Sequence, residues 1–123
     1  MLQPNVPAWF EIPAVDLERA VRFYETVVAA KLIREEMGPM SLAVFPHAKP
    51  GASGAIVRAE GYRPGVTGTV VYLHVDDIRP VLSRVPLAGG EVLLPLTALP
   101  DEAGVFAQLR DSEGNRVGLF SRT

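Results

Sequence analysis

The chain has 123 residues, of which 48% are apolar and 21% charged, with a formal net charge of −2 and no cysteine. This composition is typical of a chain that buries its own core, so we expect one domain over residues 1–123. Disulfides and thiolate-bound metals are excluded, scattered arginines argue against nucleic acid as a partner, and no apolar run approaches the ~20 residues of a membrane span.

Residues 8–15 are rich in aromatic and β-branched side chains and are predicted to form a strand. Asp16 follows as a helix N-cap, and apolar residues recur at spacings of three and four over residues 17–29. Three further strands are predicted at residues 31–34, 41–45 and 54–58. The first module, about residues 6–59, therefore has the order βαβββ.

Residues 60–67 contain glycine and proline without periodicity and are predicted to be a linker. The pattern of the first half then recurs in a second module, about residues 68–123. A strand at 69–75 precedes a helix that Asp76 or Asp77 caps and that extends to about residue 85. Further strands are predicted near residues 91–94, 105–110 and 116–121.

The two modules also share letters, since Val15-Asp16-x-x-Arg19-x-Val21 is repeated as Val75-Asp76-x-x-Arg79-x-Val81. Both copies fall where a strand passes into a helix, so a cap and an apolar helix face are reused together. The repeat predicts an α+β fold made of two βαβββ modules.

Three segments resemble the vicinal oxygen chelate superfamily of glyoxalases, bleomycin-resistance proteins and extradiol dioxygenases. They are the run from Ile12 to Tyr24, the midpoint Val75-Asp-Asp-Ile78, and the ending from Leu109 to Asn115. The resemblance implies curved mixed sheets around a cupped cavity, and a homodimer. It also implies that metal ligands of related enzymes would fall at Trp9, Val70 and Gly118, and by the internal repeat near Ala55.

None of these four residues offers a lone pair to a divalent cation, so we expect no metal and no other cofactor. Counting from the same positions at the two-residue period of strands predicts the residues around the cavity. They are Trp9, Glu11, Val70, Tyr72, His74, Phe106, Gln108, Gly118 and Phe120. A turn over residues 111–115 sets Gln108 opposite Gly118, where the missing side chain would leave space. Such a cavity suits an aromatic or planar small molecule, although the same aromatic residues can also simply fill a core.

Glu11 stands between aromatic and aliphatic neighbours, so burial is expected to raise its pKa and to suit it as a general base. It can equally pair with an arginine or lie at an edge in water. His74 can join Glu11 and Gln108 in a displaced metal site, or only brace the turn before the second helix.

The leading hypothesis is a metal-independent small-molecule-binding protein. An isomerase or lyase with Glu11 as the catalytic base, a lyase or dioxygenase with displaced metal ligands, and a non-catalytic interaction module stay open. The first residues carry neither a basic nor an apolar leader segment, so the expected location is cytoplasmic.

Overall fold

In the computed structural model, which describes residues 1–4, 6–49 and 51–123, the strands form two separate four-stranded sheets. The N-terminal sheet contains β1 (Trp9–Pro13), β2 (Ile33–Met37), β3 (Met40–Val44) and β4 (Ser53–Arg58) in the order β1-β4-β3-β2. The C-terminal sheet contains β5 (Tyr72–His74), β6 (Glu91–Ala98), β7 (Val105–Arg110) and β8 (Arg116–Ser121) in the order β5-β8-β7-β6. The first strand of each module is parallel to the last, and the remaining pairs are antiparallel. The predicted α+β fold of two βαβββ modules is confirmed.

Within the described residues each module has one α-helix, α1 (Leu17–Val27) in the first and α2 (Ile78–Arg84) in the second. Asp16 caps α1 as predicted, and of the two candidates for α2 it is Asp77 whose side chain accepts a backbone hydrogen bond. The repeated letters are therefore one residue out of step with the structural repeat. Helix α1 ends before residue 29 because Ala29 adopts a φ of 54°, a left-handed conformation that does not continue a helix.

Three strand boundaries differ from the prediction by three residues or more. Strand β2 continues through exposed charged residues to Met37, and β5 begins only at Tyr72 instead of residue 69. Strand β6 continues beyond residue 94 to Ala98 although it contains Pro95, because the ladder to β7 is irregular there. Proline is tolerated on such an edge strand at a bulge, so it did not mark the strand end.

One core joins the two modules. Its largest buried side chains come from α1 (Phe23 and Tyr24), from β4 (Ile56), from α2 (Ile78) and from β7 (Leu109). A smaller cluster covers the opposite face of the N-terminal sheet, where Tyr62 of the linker packs on it. The helices and the inner sheet faces thus bury their apolar residues together, which fixes how the two sheets are oriented.

The turn between β7 and β8 ties the second module to the first. Tyr24 donates its hydroxyl to Asp111 at 2.5 Å, and Asn115 donates its side-chain amide to the carbonyl oxygen of Pro13 at 2.8 Å. Burial, and then the nearby charge of Asp111, raise the pKa of Tyr24 well above its ordinary value. The two modules of one chain therefore pack directly on each other. Neither α1 nor α2, the α-helices of the described residues, is long and apolar enough to cross a membrane.

Candidate functional site

The C-terminal sheet turns one face toward the core and leaves the other open. Leu73, Ala107 and Leu109 face the core, so the alternating residues of β5, β7 and β8 lie on what we call the open face. The open face carries Tyr72, His74, Phe106, Gln108, Arg110, Arg116, Gly118 and Phe120. Tyr72 and Gln108 flank Gly118 in the ladder, and His74 and Phe106 flank Phe120. The predicted register, with Gln108 opposite Gly118, is confirmed.

Aromatic side chains on the open face surround a hollow of about 370 Å³, lined by Tyr72, Leu99, Phe106 and Phe120. The ring centroids of Tyr72 and Phe106 are 6.2 Å apart in an edge-to-face arrangement. Tyr72 is 44% exposed, and none of these aromatic residues belongs to the buried core. They line a surface hollow and do not fill the interior. Leu99 enters from the segment before β7 and was not among the residues predicted around the cavity.

Gly118 does not leave the space that the sequence suggested. A methyl group added there would overlap the ring of Tyr72, which lies directly over the glycine. Gln108 holds that ring in place by donating its side-chain amide to the Tyr72 hydroxyl at 2.6 Å. The missing side chain is thus replaced by an aromatic neighbour of the same chain.

Trp9 and Glu11 form a separate group on the N-terminal sheet. The Glu11 carboxylate accepts hydrogen bonds from Tyr62 at 2.7 Å and from the Trp9 indole at 3.3 Å. The pKa of Tyr62 is raised, mainly by this hydrogen bond to Glu11 and secondly by burial. Tyr62 lies in the aperiodic linker, so no sequence signal indicated it.

The expected burial of Glu11 is wrong, because its side chain is exposed. Strand β1 is at the edge of its sheet, and its aromatic and aliphatic neighbours Phe10 and Ile12 turn to the opposite face, into the core. Neighbours adjacent in sequence therefore do not desolvate this carboxylate. The role of Glu11 as a general base stays a prediction, without the burial that suggested it.

The residues at the family's metal-ligand positions do not fit a divalent metal. Trp9, Val70 and Gly118 supply no carboxylate or imidazole, and Ala55 is completely buried opposite Glu11 in the ladder. Over residues 1–4, 6–49 and 51–123, no group of three or more histidine and carboxylate side chains is placed to hold a metal ion. His74 packs its ring against Phe120 instead, with centroids 5.2 Å apart.

A second hollow of about 270 Å³ lies at the seam between the modules. Its walls include Glu11 of β1, Arg116 of β8, the linker residues Arg63 and Thr67, and Thr69, which lies before β5. We call it the seam pocket. Glu11 of the N-terminal sheet and Arg116 of the open face both line this pocket. The pocket therefore connects the two groups of candidate residues.

With this geometry established, comparison with known proteins identifies the class. The family model of the Glyoxalase/Bleomycin resistance protein/Dioxygenase superfamily matches residues 7–119, and the chain belongs to this superfamily. A glyoxylase-like domain-containing protein from Didymella fabae is 29% identical over 117 residues, covering 91% of this chain and 90% of that protein.

Solved structures show the same fold. A mutant of glyoxalase I from Zea mays superposes with a TM-score of 0.70 at 21% identity, over 95% of this chain but only 46% of the maize chain. The present chain thus spans about half the length of that enzyme. TnmS3, an antibiotic binding protein from Streptomyces sp. CB03234, superposes with a TM-score of 0.67 at 25% identity, over 94% of each chain.

Proposed function

We propose that this protein binds a planar or aromatic small molecule on the open face without the help of a metal ion. The observation that carries the proposal is the aromatic hollow of Tyr72, Leu99, Phe106 and Phe120, whose volume of about 370 Å³ is within the range of small-molecule pockets. Edge-to-face aromatic walls with a polar group beside them favour flat apolar ligands.

Two further observations support the proposal. The donor-free residues at the family's metal positions favour binding without a metal, and TnmS3, which resembles this chain over nearly its whole length, is an antibiotic binding protein. Sequestering a ligand needs no reaction, since binding alone lowers its free concentration by mass action. The core shared by both modules supports the one-domain organisation, while the homodimer and the cytoplasmic location stay predictions.

The test is a titration with planar aromatic compounds, in which binding is measured through the fluorescence of the protein's single tryptophan and by calorimetry. Phe106→Ala removes one wall of the hollow and should weaken binding about tenfold, the equivalent of ~1.4 kcal/mol. Leu87→Ala is the control, because Leu87 is 90% exposed and lies outside the open face. Equal affinity of both variants would show that the hollow is not the binding site.

The same preparation tests the metal-dependent alternatives. Protein purified without a chelating tag is analysed for metals and melted with added Ni²⁺, Zn²⁺, Mn²⁺ or Fe²⁺. We expect no stoichiometric metal and no rise in melting temperature, since metal binding to the folded state would stabilise it. A stoichiometric metal together with a clear rise would contradict metal independence.

A further inference from the structure

The open face changes in chemistry from one end to the other. Its ladder pairs form three successive rows, and the first contains Arg116 and the ion pair of Arg110 with Glu91. The second row contains Gln108 and Tyr72, and the third contains the aromatic rings of Phe106, His74 and Phe120. Rows on one face are two residues apart, so the first and third are separated by about 13 Å. The face thus passes from cationic through polar to aromatic.

Arg116 is held in place at the cationic end. Its Nε donates to the carbonyl oxygen of Val66 at 3.1 Å, and one terminal nitrogen donates to the side-chain carbonyl of Gln108 at 2.8 Å. Gln108 in turn donates to Tyr72, so the guanidinium is connected to the aromatic hollow by a continuous chain of hydrogen bonds. These bonds orient Arg116 without neutralising it.

Arg116 also lacks a counter-ion within the part of the chain that the structure describes. Four other arginines there, Arg19, Arg34, Arg79 and Arg110, each pair with a carboxylate. Arg116 is half-buried, and its second terminal nitrogen has no hydrogen-bond partner among the described residues. The side chain of Arg63, which lines the same pocket, has none there either. A partly desolvated guanidinium with free donors is suited to bind an anion.

The net charge of the seam pocket indicates which anion it would bind best. Arg63 and Arg116 supply two positive charges, and Glu11, which also lines the pocket, supplies one negative charge. The Glu11 carboxylate accepts hydrogen bonds from Tyr62 and Trp9. It forms no ion pair with either arginine among the described residues. One net positive charge matches a monoanion such as a carboxylate.

We infer that the seam pocket is an anion subsite, and that the ligand of this protein is an elongated aromatic carboxylate. Its carboxylate binds at Arg116 and Arg63, and its apolar ring lies about 13 Å along the face in the hollow of Phe106 and Phe120. The inference rests on the proposed function for the aromatic end, but the anion subsite depends on different residues and fails separately.

The experiment compares para-terphenyl-4-carboxylate, whose three rings in line can reach from the anion subsite to the hollow, with its neutral isostere para-terphenyl-4-carboxamide and with the cation para-terphenyl-4-methylammonium. Affinities are measured by calorimetry at pH 7 and low ionic strength. We expect the carboxylate to bind about tenfold more tightly than the amide, because hydrogen bonds to a charged group are the stronger ones. The difference should shrink with added salt, as expected for a partly exposed ionic contact.

Arg116→Gln should abolish the preference for the carboxylate over the amide. The matched control is Arg122→Gln, since Arg122 is exposed near the end of the chain, beyond β8. If Arg116→Gln does not fold, Arg63→Gln replaces it, because Arg63 is an exposed linker residue whose change leaves the core intact. That variant should reduce the preference.

Each outcome is decisive. If the native protein binds acid and amide equally, the anion subsite is wrong while the aromatic binding face stands. A preference for the ammonium compound would show that Glu11 and not Arg116 determines the ligand charge, and would also overturn the inference. If none of the three compounds binds, both the subsite and the proposed function fail.

Discussion

The carboxylate of Glu113 lies 2.8 Å from the backbone nitrogen of Asp16, 97 residues away in sequence, so a turn of the second module covers the start of α1 in the first. The same carboxylate accepts from the backbone of Val15 at 2.9 Å and from the Arg19 guanidinium at 2.7 Å. Its side chain is completely inaccessible to solvent, at 0% exposure. This one residue satisfies helix-end N–H groups that would otherwise lack a partner.

We expect Glu113→Gln to lower the free energy of unfolding by about 2 kcal/mol, because an amide cannot accept all these hydrogen bonds and brings an unwanted donor. Urea unfolding followed by circular dichroism measures the change. The matched control is Glu18→Gln, which removes an ion pair with Arg34. Both side chains of this pair are exposed, so its loss should change the free energy of unfolding little. Equal losses in the two variants would contradict the role of Glu113.

Glu113 should also make stability depend on acid pH. Burial alone raises its pKa, but hydrogen bonds from Arg19, from the Asp16 and Val15 backbone and from Ser112 outweigh this, so its pKa lies below the ordinary value of 4.5. A lowered pKa in the folded state means that the stabilisation is complete above about pH 4.5 and is lost as the pH falls toward the folded value. The stability gap between native protein and Glu113→Gln should therefore narrow below that pH in urea unfolding. If the difference in unfolding free energy between the two proteins stays constant from pH 7 to pH 3, the titration of Glu113 does not contribute to acid stability.

Tyr24 should have the opposite effect, at alkaline pH. Its buried hydroxyl has a pKa raised above the ordinary 10.0, first by burial and then by Asp111. The unfolded chain ionises this group first, so stability is intact below about pH 10 and falls above it. Tyr24→Phe should cost about 1 kcal/mol at pH 7 for the lost hydrogen bond and should remove part of the alkaline decline. Identical declines in both proteins, measured by urea unfolding at pH 9 to 11, would contradict this.

Local patterns were enough to predict the modules and the ladder register. Asp16 caps α1 at the predicted position, and the turn over residues 111–115 sets Gln108 opposite Gly118 as expected. Both depend on residues close together in sequence, where periodicity of two or 3.6 and turn chemistry act directly.

The site itself could be predicted only in part, because several contacts depend on segments without periodicity. Tyr62 and Val66, which hold Glu11 and Arg116, lie in or beside the linker. Leu99 reaches the aromatic hollow from the segment between β6 and β7. Glu11 is exposed because strand alternation turns it away from Phe10 and Ile12 at the edge of the sheet. These apolar neighbours in sequence had suggested burial.

The ring of Tyr72 lies directly over Gly118 and fills the place of a side chain there. Gly118→Ala places a methyl group where the Tyr72 ring lies, so the ring must swing away and lose its bond to Gln108. Because Tyr72 is 44% exposed, it can move outward at a cost of about 1 kcal/mol. Gly54→Ala meets the Phe10 ring in the same way, but Phe10 packs against the core and the cost should be nearer 3 kcal/mol.

Gly65→Ala is the control for both variants, since an added methyl group there has no heavy atom within 4 Å. Thermal and urea unfolding should rank the losses as Gly54→Ala, then Gly118→Ala, then Gly65→Ala. The Gly118 variant should also bind planar aromatic compounds differently from the native protein, because its hollow has lost the ordered Tyr72 wall. Native-like stability and binding in Gly118→Ala would show that Tyr72 does not occupy the position over the glycine.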